Sequence, residues 1–150
     1  NIRLGNSHLE VDQIKSIARS VNLHRFVDCL PDQYEQNIRE RGSLLSLGQK
    51  QLLSFARALA VDPRILVLDE ATSSIDTETE LQVQNGIKEL IRGRTSIIIA
   101  HRLSTLKNVD KILVLKEGHV AEYGTQKELL QKKGIYWKLY NLQATNDDKL

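Results

Sequence analysis

The chain has 150 residues, 41% of them hydrophobic, which allows one compact domain with a core and is too short for two ordinary domains. A formal net charge of +2, with 27% charged residues, gives no strongly basic stripe, so we expect no nucleic-acid partner. No apolar run approaches the roughly 20 residues that span a bilayer, so we expect this piece itself to be soluble.

Two single-residue features narrow the class of protein further. Cys29 is the only cysteine and has no Cys or His neighbour at metal-ligand spacing, so we expect a small buried side chain without a redox or metal role. The chain begins at Asn1 and contains no methionine, which suggests an excerpt from a longer polypeptide.

The first 60 or so residues are predicted to be helical. Over residues 11–21 the apolar side chains recur at i, i+3, i+4 and i+7, which is typical of an amphipathic helix. Pro31 and Gly42 interrupt the pattern, and a second helix is predicted for residues 47–60.

Three short apolar runs follow, at residues 65–68, 96–99 and 112–115, and are typical of strands buried on both faces of a parallel sheet. Between the first two, a helix capped by Thr77 and Glu80 completes a strand–helix–strand unit with a right-handed crossover. The apolar residues expected to face the sheet from this helix are Leu81, Val83, Ile87, Leu90 and Ile91.

The last third of the chain is predicted to hold a turn and a further helix. Gly118 is expected to turn the third run into a short partner strand that ends near Tyr123. Thr125 and Glu128 have the spacing of a capping box, which predicts another helix after them.

Polar residues follow the first two predicted strands. Asp69 and Glu70 end the first, and His101 follows the second. Ligands of open parallel sheets bind outside the carboxyl ends of the strands, and a carboxylate there suits Mg²⁺. Solvated acids also commonly end strands, and His101 alone fits an ordinary polar residue equally well.

The helix predicted from residue 47 begins with Ser46, Gly48 and Gln49 around its first turn. A helix N-terminus presents free N–H groups and partial positive charge, so it is suited to bind an anion. Ordinary capping by Ser46 explains the same residues, and this segment alone leaves the two interpretations open.

Together these segments resemble the ABC ATPase family. Residues 45–49 resemble the signature motif LSGGQ in four of five letters, and residues 65–70 resemble the Walker B strand. Residues 73–76 resemble the D-loop, and His101 resembles the switch histidine. All four lie in the family's order and at its usual spacings.

The resemblance implies an α/β fold: an incomplete P-loop NTPase domain with a helical subdomain and the C-terminal part of a parallel-sheet core flanked by helices. We expect residues 1–62 to form the helical subdomain. Residues 63–145 would form the remaining part of the ATPase core, and residues 146–150 a tail.

The resemblance also implies roles for residues at the chain's own nucleotide site. Asp69 would hold Mg²⁺ through water, and Glu70 would polarise the water that attacks ATP. His101 would contact the γ-phosphate and position Glu70.

A second site would be shared with another ABC ATPase domain in a head-to-tail dimer. Ser46, Gly48 and Gln49 would contact the γ-phosphate of ATP held by that partner domain. Asp76 would bridge the interface, although capping of a helix N-terminus explains Asp76 as well.

Two departures from the family pattern affect these expectations. The phosphate-binding loop GxxGxGK[ST] is absent from the sequence, so the isolated chain is expected to bind ATP poorly and to be inactive. Leu47 replaces a glycine of the signature, and we hypothesise a weakened contributed site within an asymmetric heterodimer.

Residues 40–42, Glu-Arg-Gly, resemble the X-loop of ABC exporters, with Arg39 where glycine is usual. Glu40 and Arg41 would contact the transmembrane domain, or form a solvated charged turn. The expected function is ATP-driven export, with the domain at the cytoplasmic face of the cell membrane. The alternatives are a soluble ABC ATPase, for which basic surfaces and inserted arms are missing, and a non-catalytic remnant.

Overall fold

The computed structural model describes residues 1–3, 6, 8–69, 77–100, 106 and 109–147, with the backbone alone for residues 77, 78 and 143–147. The helices are α1 Val11–Ser20, α2 His24–Asp28, α3 Leu47–Val61, α4 Thr77–Ile91, α5 Gln126–Lys132 and α6 Ile135–Asp147. The strands are β1 Ile65–Asp69, β2 Thr95–Ile99, β3 Ile112–Lys116 and β4 His119–Gly124. None of these helices, over the residues described, is long and apolar enough to cross a membrane.

The chain divides into two compact units, Asn1–Ile99 and Ala100–Leu150. The first unit contains α1 to α4 with β1 and β2, and the second contains β3, β4, α5 and α6. This content confirms the expected α/β class. The predicted functional division after residue 62 stays a prediction.

The helices predicted for the first 60 residues are present. The apolar stripe of α1 buries Ala18, and the following Val21 is also completely buried. α1 packs against α3, whose buried face includes Leu52 and Ala56. The 3.6-residue periodicity of the sequence therefore identified both helices and the side that each buries.

The five-residue α2 shows one error of the sequence analysis. Cys29 caps its C-terminus and is exposed, so the prediction of a buried cysteine was wrong. A helix this short buries little on either side, and Val27 is its buried residue.

The helix between the two parallel strands, α4, packs closely against α3. A Cβ on Gly86 would lie 3.2 Å from side-chain atoms of both Leu52 and Phe55, so glycine permits this close approach. Val83, Ile87 and Leu90 are buried as expected. Leu81 is not, because 64% of its surface is exposed, and the prediction that it faces the sheet was wrong.

β1 and β2 form the predicted parallel pair, with Val67 opposite Ile97. One face contributes Leu66 to the core beside α3 and α4. On the other face Val67 and Ile97 are 62% and 56% exposed. The prediction that both faces are buried was therefore wrong: the described part of the first unit supplies helices for one face of this sheet.

The third apolar run forms β3, which pairs antiparallel with β4. The turn between them contains Gly118 at φ 78°, as predicted, and β4 ends one residue beyond Tyr123. The described partner of this strand is antiparallel, so the parallel pairing expected for the third run was wrong.

Side-chain oxygens cap the helices of the second unit. Thr125 and Glu128 form the predicted capping box of α5, and the backbone and side-chain hydrogen bonds from Thr125 lower the pKa of Glu128. The Glu122 carboxylate accepts hydrogen bonds from the backbone N–H groups of Ile135, at 2.6 Å, and Tyr136, at 3.0 Å. This carboxylate therefore holds α6 against β4.

The exposed sheet face predicts self-association of the isolated chain, because apolar surface and unpaired strand edges favour pairing with another chain. Replacing Val67 and Ile97 by threonine keeps the β-branched shape and should weaken association by roughly tenfold. Sedimentation velocity over a concentration series measures this. Val61→Thr, at an exposed position on α3, serves as the matched control. Equal association of all three proteins would contradict the prediction.

Candidate functional site

Asp69 is the last residue of β1 and lies opposite Ile99, the last residue of β2. Its side chain is exposed, and within the described part of the chain its carboxylate has no hydrogen bond or ion pair. β1 places this carboxylate at the carboxyl edge of the sheet because the strand ends there. Its oxygens are therefore free to bind a water or a cation.

The parallel register puts the carboxyl ends of both strands at the same edge of the sheet. Ala100 continues from β2 toward His101, while Glu70 follows Asp69 directly. Glu70, Asp76 and His101 lie outside the described residues, so their predicted roles stay predictions. The strand pairing supports the predicted grouping of these residues at one edge of the sheet. Of the four, Asp69 is the residue that the structure describes.

Asp69 fits a magnesium ion held mainly by other ligands. Mg²⁺ retains several waters and commonly takes one or two carboxylates together with substrate phosphate oxygens. Within the described ranges no cluster of three or more His, Cys, Asp or Glu side chains could form an all-protein metal site. A single exposed carboxylate at a strand end matches a magnesium site in which waters and phosphate oxygens supply most of the ligands.

The start of α3 forms a complete capping box. Ser46 Oγ accepts a hydrogen bond from Gln49 N at 3.2 Å, and Ser46 N donates to Gln49 Oε1 at 2.9 Å. The capping interpretation of Ser46 is therefore correct. It leaves room for an anion, because the N–H groups of Leu47 and Gly48 have no partner within the described structure.

The predicted anion-contacting residues differ in their access to solvent. Ser46 and Leu47 are exposed, with Leu47 at 53%, whereas Gln49 is half-buried and Gly48 is buried. The structure thus brings Ser46, Gly48 and Gln49 together on one helix turn.

The segment before α3 is a tight charged loop. Arg39, Arg41 and Gly42 have φ of 60°, 54° and 64°. The loop is closed by hydrogen bonds from Gly42 N to Arg39 O and from Leu45 N to Gly42 O. Glu40 and Arg41 are exposed on it.

A cavity of about 260 Å³ lies beside this loop in the first unit. Its walls are mainly apolar, and Ile38 and Leu45, which flank the loop, both line it. Tyr34 also lines it, its hydroxyl lying 2.9 Å from His24 Nδ1, and burial raises the pKa of Tyr34. Sequence reasoning missed this cavity, because helical periodicity shows which residues face inward but not where packing is incomplete.

Comparisons with known proteins find similar sequences and structures in one family. Residues 6–73 match the model of the ABC transporter family. The chain is 47% identical over 143 residues to the uncharacterized ABC transporter ATP-binding protein YknV of Bacillus subtilis. It is 46% identical over 147 residues to an ATP-dependent lipid A-core flippase of Syntrophus aciditrophicus.

A solved structure of a bacterial Atm1-family ABC exporter with ATP bound superimposes with a TM-score of 0.83 at 38% identity, over 95% of this chain. The two relatives align with 95% and 98% of the chain. The chain spans 24% of the length of each relative and 25% of the solved chain. These matches bear on the domain as a whole and not on single site residues.

The capping box predicts a measurable share of the stability of α3. Ser46→Ala should lower the free energy of unfolding by about 1 kcal/mol, because it removes the hydrogen-bond acceptor of Gln49 N. Ser54→Ala is the control, since Ser54 is exposed in the middle of the same helix. Chemical denaturation of the three proteins measures the difference, and equal effects of both substitutions would show that the cap contributes nothing.

Proposed function

Since this chain belongs to the ABC transporter family of ATP-binding domains, we propose that it binds and hydrolyses ATP to drive export across a membrane. One observation carries the proposal: within its described residues, the first unit holds both an unpaired Asp69 at the end of a parallel strand and a helix N-terminus with two unpaired N–H groups. The names of the relatives, an exporter and a flippase among them, support export as the activity of the complete protein.

At the chain's own site, the exposed carboxylate of Asp69 would hold Mg²⁺ through a water. Bound Mg²⁺ neutralises negative charge on the phosphates of ATP. Glu70 orients the attacking water and accepts its proton, and His101 positions Glu70. The parallel pairing of β1 with β2 supports this grouping, since both strands lead to one edge.

At the second site, Ser46, Gly48 and Gln49 contact ATP held by another ABC ATPase domain in a head-to-tail dimer. The unpaired N–H groups of Leu47 and Gly48 support this role, because they are donors that the capping box leaves free. Asp76 bridges the same interface.

The proposed transmembrane partner docks on the loop of Glu40 and Arg41. Both side chains are exposed, and the apolar cavity beside them offers space for an inserted side chain. This contact places the domain at the cytoplasmic face of the membrane. Motion of the membrane segments would then accompany closure of the ATPase dimer.

Glu70→Gln tests the function in the complete protein. We expect kcat for ATP hydrolysis to fall by roughly 10²–10⁴, because general-base assistance is lost, while ATP binding persists. Glu89→Gln, in an exposed pair with Arg92, is the control and should leave kcat unchanged. The isolated 150-residue chain should show no micromolar ATP affinity by calorimetry.

The other outcomes of this experiment separate the alternatives. ATP hydrolysis by the wild-type protein without ATP-driven transport would favour a soluble ABC ATPase. Absence of hydrolysis in the wild-type protein would identify a non-catalytic remnant. Undiminished hydrolysis by the Glu70→Gln protein would remove Glu70 from the mechanism.

The exposed Leu47 supports a further part of the proposal, an asymmetric pair of sites. Its isobutyl group stands at the first position of α3, where an approaching phosphate would meet it before the N–H groups. This chain would then hydrolyse ATP at its own site and complete a weaker site on its partner domain, as in a heterodimer.

Leu47→Gly should therefore raise hydrolysis at the partner-held site of the complete complex, by roughly fivefold or more for each 1 kcal/mol of hindrance removed. Single-turnover measurements with the chain's own site blocked by Glu70→Gln isolate that contribution. Leu44→Gly, at a nearby exposed leucine outside the helix, is the control. No gain at either site would contradict the impairment.

A further inference from the structure

The backbone of Arg39 adopts a conformation that disfavours any side chain. Its φ is 60° and its ψ is −179°, a combination that is essentially restricted to glycine. Arg41, two residues later, has φ 54° and ψ 18°, in the left-handed helical region that other residues tolerate better. Arg39 is thus the most strained residue of the loop.

Hydrogen bonds on both sides hold Arg39 in this conformation. Its N–H donates to Asn37 Oδ1 at 2.8 Å, and its carbonyl oxygen accepts from Gly42 N at 3.2 Å. Ile38, the residue before it, lines the cavity. Relaxing Arg39 would therefore break the loop closure or move Ile38.

The side chain of Arg39 makes no polar contact within the described residues that would offset this backbone strain. It is exposed, and its guanidinium has no hydrogen bond or ion pair within the described residues. The guanidinium of Arg41 is also exposed and unpaired there, and the loop carries Glu40 between them. This loop therefore exposes two guanidinium groups that are unpaired within the described residues.

We infer that Arg39 is a docking residue whose guanidinium binds a carboxylate on the polypeptide segment that covers this loop, at a cost in stability of the free chain. A guanidinium pairs with a carboxylate through two parallel hydrogen bonds, which explains an arginine at a position where glycine would be more stable. The inference rests on the proposed function, since that function supplies the segment, and it adds the acidic chemistry of the contact.

The stability arm of the test uses the isolated chain with Arg39→Gly and Arg39→Ala. Both remove the charge, but only glycine relieves the backbone. Glycine ordinarily makes a folded chain less stable than alanine does. Here we expect the opposite: the unfolding equilibrium constant of the Arg39→Gly protein should be roughly tenfold smaller than that of the Arg39→Ala protein, because glycine relieves the backbone strain. Chemical denaturation measures it. A glycine variant less stable than the alanine variant would overturn the inference.

The docking arm uses the complete protein in lipid nanodiscs and follows trypsin cleavage after Arg41 by mass spectrometry. Docking should slow this cleavage roughly tenfold relative to the isolated chain, and Arg39→Ala and Arg39→Gly should each restore much of the fast rate. Arg39→Lys should keep most of the protection, and about 0.5 M NaCl should reduce it. Protection unchanged by Arg39→Ala would overturn the inference.

This readout is independent of catalysis. ATP hydrolysis measured on the same samples judges the proposed function separately. Absent hydrolysis with the expected protection pattern would reject that function and uphold the docking role of Arg39. Normal hydrolysis with no protection at Arg41 would uphold the proposed function and reject the docking role of Arg39.

Discussion

Burial of α3 between α1 and α4 is the interaction on which the rest of the first unit depends. Leu52 and Ala56 are almost completely buried on this helix, and Gly86 lets α4 approach it closely. The core of α3 and α4 also receives Leu66 of β1, so the helix pair fixes where that strand ends. The start of α3 and the end of β1, which belong to the two different proposed sites, are therefore positioned by one core.

Polar contacts of Arg94 reinforce this arrangement at the opposite end of α3. The Arg94 guanidinium lies 2.7 Å from Asp62, which caps α3, and also donates to the carbonyl oxygen of Leu90 near the end of α4. Asp62 is highly exposed, so the charge interaction itself is weak. The interaction instead helps to position the elements. Arg94 directly precedes β2, so its guanidinium connects the ends of α3 and α4 to that strand.

The sequence predicted the helices and strands better than it predicted what packs against them. Periodicity identified α1 and α3, the spacing of Thr125 and Glu128 identified a capping box, and the first two apolar runs formed a parallel pair. Burial of both sheet faces was mispredicted because an apolar run reports what a strand can bury, not whether this chain supplies the cover. The conformation of Arg39 was equally hidden, because bonds closing the loop impose it against local preference.

The reciprocal bonds between Ser46 and Gln49 also determine when the start of α3 becomes ordered. The N–H groups of Leu47 and Gly48, unpaired within the described residues, are already aligned by the folded helix, so the ligand proposed for this turn would find a preorganised surface. The loss of conformational entropy accompanies folding and does not diminish affinity. A substitution that frays this first turn would make binding carry the loss of conformational entropy. Such a substitution would weaken binding even though it removes no contact with the ligand.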